Sequence, residues 1–126
     1  MANVTFFRCE HCGNIVEMVH ASGVPVVCCG EPMTELVPNT VDAATEKHVP
    51  VISVDGDVVT VKVGEVEHPM VDEHYIYFVA VQTDKGVYRK DLKPGMEPVA
   101  SFCLAGESLV AAYEYCNLHG LWKANA

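Results

Sequence analysis

Apolar residues in this chain come in short β-branched or alternating runs, broken at short intervals by Gly, Pro, Asn and Asp. Runs at residues 4 to 8, 15 to 20 and 24 to 27 read as short strands. They flank Cys9-Glu10-His11-Cys12-Gly13 and lead into Cys28-Cys29-Gly30, a layout that suggests small hairpins folded around a metal. Pro38-Asn39-Thr40 and the polar, small-residue stretch 42 to 45 then read as a linker. Beyond it, strands are predicted at 49 to 54, 58 to 63, 75 to 82, 87 to 91, 99 to 104 and 108 to 115. They are separated by Asp55-Gly56-Asp57, Asp84-Lys85-Gly86 and Lys93-Pro94-Gly95, and Asp-Gly turns of this kind are strong hairpin signals. No stretch carries a helical period. The prediction is an all-β protein: a small metal-bound module over 1–37, then an immunoglobulin-like β-sandwich over 38–126. The sandwich lacks the Cys-Trp-Cys core of an antibody domain.

Length sharpens this division. The chain has 126 residues, and about 100 residues are enough for one self-supporting domain, whereas a module of under 40 needs a staple. Half the residues are apolar and 20% are charged, so the chain can bury a core and is not disordered. A formal charge of -9 with no basic cluster excludes nucleic acid and anionic membranes as natural partners. The first residues form neither a basic nor a long apolar leader, and no run is long enough to span a membrane, so the cytoplasm is the expected location. In that reducing compartment six cysteines point to metal binding rather than disulfides.

Cys9 and Cys12 form a C-x2-C knuckle closed by Gly13, and Cys28 and Cys29 follow 15 residues after its end. Four thiolates suit a tetrahedral iron or zinc ion, and motif alone leaves that choice open, as it leaves open reduced thiols without metal. An adjacent cysteine pair can contribute both sulfurs only from a strained backbone. His11 lies between ligands but is expected to face solvent, because four sulfurs complete the shell.

A second group of candidates lies in loop-like strings: His48 in Glu46-Lys47-His48, His68, His74, and Cys116 with His119 in Cys116-Asn117-Leu118-His119. Four imidazoles and one thiolate make five donors, too many for structural zinc and one short of an octahedron. On iron, such an open position means chemistry with a small molecule. With one thiolate the site would carry a net positive charge and so favour an anion. The acidic chain as a whole opposes that, and Lys47 is the candidate local cation that offsets it.

Taken together these strings resemble the desulfoferrodoxins, the two-iron superoxide reductases. Cys9-x2-Cys12 with Cys28-Cys29 looks like their desulforedoxin-type module. Glu46-Lys47-His48-Val49-Pro50, His68-Pro69-Met70, His74 and Cys116-Asn117-Leu118-His119-Gly120 look like their catalytic domain. The resemblance covers essentially the whole chain. It implies two iron ions: one held by Cys9, Cys12, Cys28 and Cys29, the other by an equatorial plane of His48, His68, His74 and His119 with Cys116 axial. It further implies one-electron reduction of superoxide to hydrogen peroxide without release of oxygen, a rubredoxin-like electron donor and a homodimer. Glu46 and Lys47 are the implied catalytic pair, Lys47 steering the anion and organising proton delivery, Glu46 occupying the sixth position of the resting site.

Two other readings compete with the enzyme. One is a rubredoxin-like electron carrier or redox sensor, in which the histidine site is structural. The other is a zinc-stapled binding module fused to a sandwich. Of the remaining residues, Cys103 reads as a small buried hydrophobe. Tyr75 and Tyr113 read as sandwich side chains, and Trp122 with the surrounding tail is expected to pack near the Cys116 turn.

Overall fold

The computed structural model describes residues 4–126. Met1 to Asn3, which entered the reading of the N-terminus, lie outside the described residues. The chain divides into two compact units, Met1–Val37 and Pro38–Ala126. Apart from one helical turn, its regular structure is β.

The first unit pairs β1 (Phe6–Arg8) with β2 (Ile15–Glu17) and β5 (Thr34–Glu35), both antiparallel. A separate hairpin joins β3 (Val27–Cys28) to β4 (Glu31–Pro32). Its loop is Cys29-Gly30, with φ of 52° and 79°. Two successive positive φ angles are what a type I′ hairpin requires, and the second falls on Gly. The first falls on Cys29, where a side chain bears the cost of the left-handed region. The strain expected of the adjacent cysteine pair is located there.

The second unit begins with α1 (Thr45–His48) and continues as β6 (Pro50–Asp55), β7 (Val58–Val63), β8 (Ile76–Thr83), β9 (Val87–Asp91), β10 (Val99–Cys103), β11 (Leu109–Cys116) and β12 (Gly120–Asn125). One sheet runs β10-β7-β6 and the other β12-β11-β8-β9. Val59, Val61 and Val63 of β7 meet Ile76, Val79 and Val81 of β8 in the core, with Ala100, Phe102, Ala112 and Cys116. This is the β-sandwich of the sequence reading, and its valine runs are the reason: β-branched side chains fill a pleated inner face.

Three details differ from the reading. The stretch taken as a linker runs into α1 at Thr45, a single turn with too little length for a helical period. It is also tied down, since Asn39 Nδ2 donates to Lys123 O at 3.1 Å and Lys123 N donates to Asn39 Oδ1 at 2.9 Å. The tail is a full strand, β12, paired with β11 from Ala111↔Asn125 to Cys116↔Gly120. Finally, Cys103 is exposed, not buried. In β10 it is Ala100 and Phe102 that point inward, and period-2 alternation turns Cys103 to the surface.

Candidate metal centres

The first centre is built by two hairpin loops. In the knuckle, Gly13 N donates to Cys9 O at 2.9 Å and Cys12 N points at Cys9 Sγ at 3.5 Å, with Gly13 at φ 82° completing the turn. The sulfurs of Cys9, Cys12, Cys28 and Cys29 all lie within 4.8 Å of one another, and Cys12 Sγ is 3.7 Å from Cys28 Sγ. A tetrahedron with metal–sulfur bonds of ~2.3 Å has edges of ~3.8 Å, so this spacing suits one shared ion. Ionisation tells the same story. The Cys12 backbone N–H draws the Cys9 thiol down to about 6. The neighbouring sulfurs of Cys12 and Cys9 push Cys28 up and Cys29 up to about 12. Four thiolates cannot share so small a volume without a cation among them. His11, as expected, is exposed, and its Nε2 lies 3.1 Å from the Glu31 carboxylate rather than among the sulfurs.

The second centre is assembled from four places in the sandwich unit. α1 delivers His48, the loop after β7 delivers His68, and a short bridge between Val71 and His74 fixes His74. The β11–β12 hairpin supplies Cys116 and His119: Cys116 pairs with Gly120 across a three-residue loop, and Gly120 has φ 80°. The β8–β11 ladder shifts register between Tyr115 and Cys116, a bulge that puts Ile76 opposite Cys116 where the strand turns into the site.

Ring geometry gives the shape of the site. Neighbouring centroids are 4.8 Å apart for His48–His68, 4.6 Å for His68–His74, 5.1 Å for His74–His119 and 4.8 Å for His119–His48. His48 and His74 face each other at 6.5 Å. A square of such sides has a diagonal of roughly 6.8 Å, so the four rings stand at the corners of a square, the layout of an equatorial ligand set.

The ring nitrogens show what the square is for. His48 Nδ1 donates to Ala44 O and His68 Nδ1 to Pro69 O, each at 2.7 Å, which leaves both Nε2 atoms as lone-pair acceptors. Yet these two Nε2 atoms are only 3.2 Å apart, and His119 Nδ1 is 3.1 Å from His48 Nε2. Two acceptors do not bond to each other; the lone pairs of His48 and His68 converge on a point that a cation could occupy. His74 Nε2 is buried with no hydrogen-bond partner, the orphan such a cation would satisfy. His48, His68, His74 and Cys116 each offer a donor atom within 4.8 Å of the others, and His119 Nδ1, 3.1 Å from His48 Nε2, lies against that group. Cys116 Sγ lies 3.9 Å from His119 Nδ1 and is fully buried, so the sulfur comes from the core side.

Electrostatics favour neutral imidazoles. Burial lowers the pKa of His48 and His74 and brings His68 down to about 4, while burial pushes the Cys116 thiol up. These three rings are thus ready to ligate at neutral pH, and the thiol needs a cation to ionise. Trp122 stacks on His48 at 5.0 Å and donates from Nε1 to His119 O at 3.0 Å, holding two corners of the square. Glu46 and Lys47 are exposed beside it. The Lys47 charge is felt at His74 and the Glu46 charge at His48.

Two contributors escaped the sequence reading. Asn117 N donates to Tyr75 O at 3.3 Å, its Oδ1 accepts from Tyr75 N at 3.0 Å and its Nδ2 donates to Glu73 O at 2.9 Å. It locks the His74 segment to the Cys116 loop, and its position inside C-x2-H was the available signal. Glu114, two residues before Cys116 on the same inward face, is fully buried with both carboxylate oxygens unpartnered. Burial raises its pKa well above the ordinary carboxyl range.

A fold of this kind, with a four-sulfur group in one unit and a four-imidazole, one-thiol group in the other, defines a protein with two metal centres. The chain belongs to the desulfoferrodoxin family. The desulfoferrodoxin family model matches residues 40–125, and the model of the desulfoferrodoxin N-terminal domain matches residues 2–36. A desulfoferrodoxin of Nitratidesulfovibrio vulgaris is 51% identical over 95% of this chain and 94% of its own length. The superoxide reductase of Treponema pallidum superposes with a TM-score of 0.83 at 41% identity, over 98% of this chain and 100% of that one. A superoxide reductase (1Fe-SOR) from Giardia intestinalis, 35% identical, covers 64% of this chain and 97% of its own with a TM-score of 0.54. The two donor groups match two iron ions per chain.

Proposed function

We propose that this protein is a superoxide reductase, converting superoxide, one electron and two protons into hydrogen peroxide without returning oxygen. The observation that carries the proposal is the square of four imidazoles with one buried thiol. Five donors leave an octahedral ion one position short, which structural zinc does not need and a small-molecule reaction does.

His48, His68, His74, His119 and Cys116 would hold an iron that would supply the one-electron couple, and Cys9, Cys12, Cys28 and Cys29 would hold a second. The rest falls to the chain. Cys116, ionised only when a cation faces it, places one negative charge on the core side, while the four imidazoles add none. Lys47 offers positive charge at the exposed edge of the site, drawing in an anion that the net charge of -9 would repel. Its ammonium also orders the water that delivers protons. Glu46 presents a hard anionic oxygen beside His48 and would be suited to serve as a further ligand of the oxidised ion. Trp122 and Asn117 keep the corners in place.

Residues 1–37 act as a desulforedoxin-like iron module and 38–126 as the catalytic sandwich. A rubredoxin-like protein supplies electrons, and the chain works as a cytoplasmic homodimer. No helix among the described residues is long and apolar enough to cross a membrane. An electron carrier would use the tetrathiolate group alone and would leave the converging imidazoles without a purpose.

The test is stoichiometric. Reduced protein given a pulse of superoxide should yield one peroxide per electron consumed and no oxygen. Oxygen release, as in dismutation, or protein with zinc in the five-donor site would overturn the proposal.

A further inference from the structure

The residues that would handle superoxide sit on a one-turn helix, and a single helical turn does not hold itself in place. α1 has no side-chain cap, and Glu46 and Lys47 are exposed. What holds α1 is the turn that follows β7. Gly64 is buried there, and a Cβ on it would stand 2.5 Å from Glu46 O, 2.7 Å from Lys47 C and 3.0 Å from His48 N. All three are backbone atoms, so they cannot swing aside as a flexible side chain would. Two residues on, Val66 N donates to Glu46 O at 2.9 Å, and His68 N donates back to Val63 O at 3.2 Å. The turn therefore grips the backbone of Glu46-Lys47-His48 on one side and presents His68 to the metal square on the other.

We propose that Gly64 is a positioning residue for the reaction: its missing side chain lets the Gly64–His68 turn clamp the Glu46–His48 backbone and sets how far Glu46 and Lys47 reach over the site. This rests on the superoxide reductase reading and deepens it. Ordinary contact needs about 3.5 Å, so a methyl at Gly64 displaces the peptide between Glu46 and His48 by up to about 1 Å. A displacement of that size at a positioned group costs up to about 100-fold in rate. No other glycine in the chain approaches backbone in this way. Gly86, for instance, has open space around it and no positive φ.

The experiment uses the full-length, iron-loaded chain. Gly64→Ala is compared with Gly86→Ala as the control and with Lys47→Ala, alone and combined. The expected results for Gly64→Ala are a second-order rate with superoxide lower by up to about 10-fold per loaded site, and a weaker dependence of that rate on salt. The double variant should be little slower than Lys47→Ala alone. Amide exchange at Val66, measured on zinc-loaded protein, should speed up as Glu46 O moves away; this readout does not depend on catalysis. Should Gly64→Ala not fold, Val66→Pro removes the amide that holds Glu46 O and should give the same fall in rate and in salt dependence, several-fold smaller.

Wild-type rate, salt dependence and Val66 exchange in Gly64→Ala would overturn the proposal. So would a lower melting temperature with the rate per loaded site unchanged, since Gly64 would then serve folding alone. A wild-type chain that does not consume superoxide overturns the function instead, while the exchange result still decides whether Gly64 clamps α1.

Discussion

The two units of this chain bind metal for opposite structural reasons. In the first, the buried apolar side chains among the described residues are Phe6, Cys9 and Met33, and one of these is itself a metal donor. Its strands are two or three residues long. In the second, a continuous core runs from Val59 to Cys116 across two sheets; Cys116 belongs to it, and the four imidazoles stand outside the strands at its edge. The tetrathiolate ion is the core of its unit, so metal binding and folding are one event. The imidazole site is mounted on a core that forms without it, and that independence leaves a coordination position free for chemistry.

The largest effect should follow from removing the first metal. Structural metal in small modules contributes on the order of 10 kcal/mol of apparent folding free energy, so Cys28→Ser should release that ion and unfold residues 4 to 37. Iron content and amide exchange would show the loss confined to one unit, with most superoxide consumption intact. Equal iron loss from both centres would break the comparison.

Acid offers the converse test on metal-free protein. His68 is held at about 4 by burial, against 6.5 in an unfolded chain. A depressed pKa means that the neutral ring is stable in the fold above pH 6.5 and that stability drains away as pH falls from 6.5 through 4. The loss is about 3 kcal/mol when complete. Urea melts of the metal-free sandwich between pH 7 and 4 should show it. In the iron-loaded protein the same pH range should also release the second ion, because a protonated imidazole cannot ligate.

Lys47→Ala should do less to stability and more to kinetics. Removing the cation at the rim should slow the encounter with superoxide by about 10-fold and flatten its salt dependence. An unchanged salt slope in stopped-flow or pulsed experiments would make Lys47 an ordinary surface residue.

Legibility in the sequence divides along similar lines. Valine runs and Asp-Gly turns carried the sandwich strands, because β-branched residues and tight turns are local signals. β12 went unread because Lys123, Ala124 and Asn125 are poor strand formers, and its existence depends on pairing with β11. α1 is one turn long, below the length at which periodicity has meaning. Cys103 was misassigned by taking its apolar surroundings as burial, when the alternation Ala100, Phe102, Leu104 already pointed it outward. The donors were visible as short strings. Their nitrogen assignment was not, since only tertiary contacts such as His48 Nδ1 with Ala44 O decide which lone pair is free. Gly64 is the extreme case: nothing in Val63-Gly64-Glu65 hints that another segment's backbone lies against it.

Glu46 should give the smallest effect, and the most informative about the free position. It is exposed, its charge reaches His48, and its backbone carbonyl rather than its carboxylate is what the Val66 amide holds. The side chain is thus free to approach the site or leave it. A carboxylate is a hard ligand, favoured by the more highly charged ferric ion over the ferrous one. Glu46→Ala should therefore leave the consumption of superoxide by the reduced protein nearly as fast as before. The change should appear in the resting oxidised protein, where water or hydroxide takes the carboxylate's place. The visible thiolate-to-iron band should shift and respond to pH, because bound water titrates and a bound carboxylate does not. Oxidised spectra of the wild type and Glu46→Ala, recorded across pH, decide the matter: superimposable bands would remove Glu46 from the sixth position and leave it a solvated residue on α1.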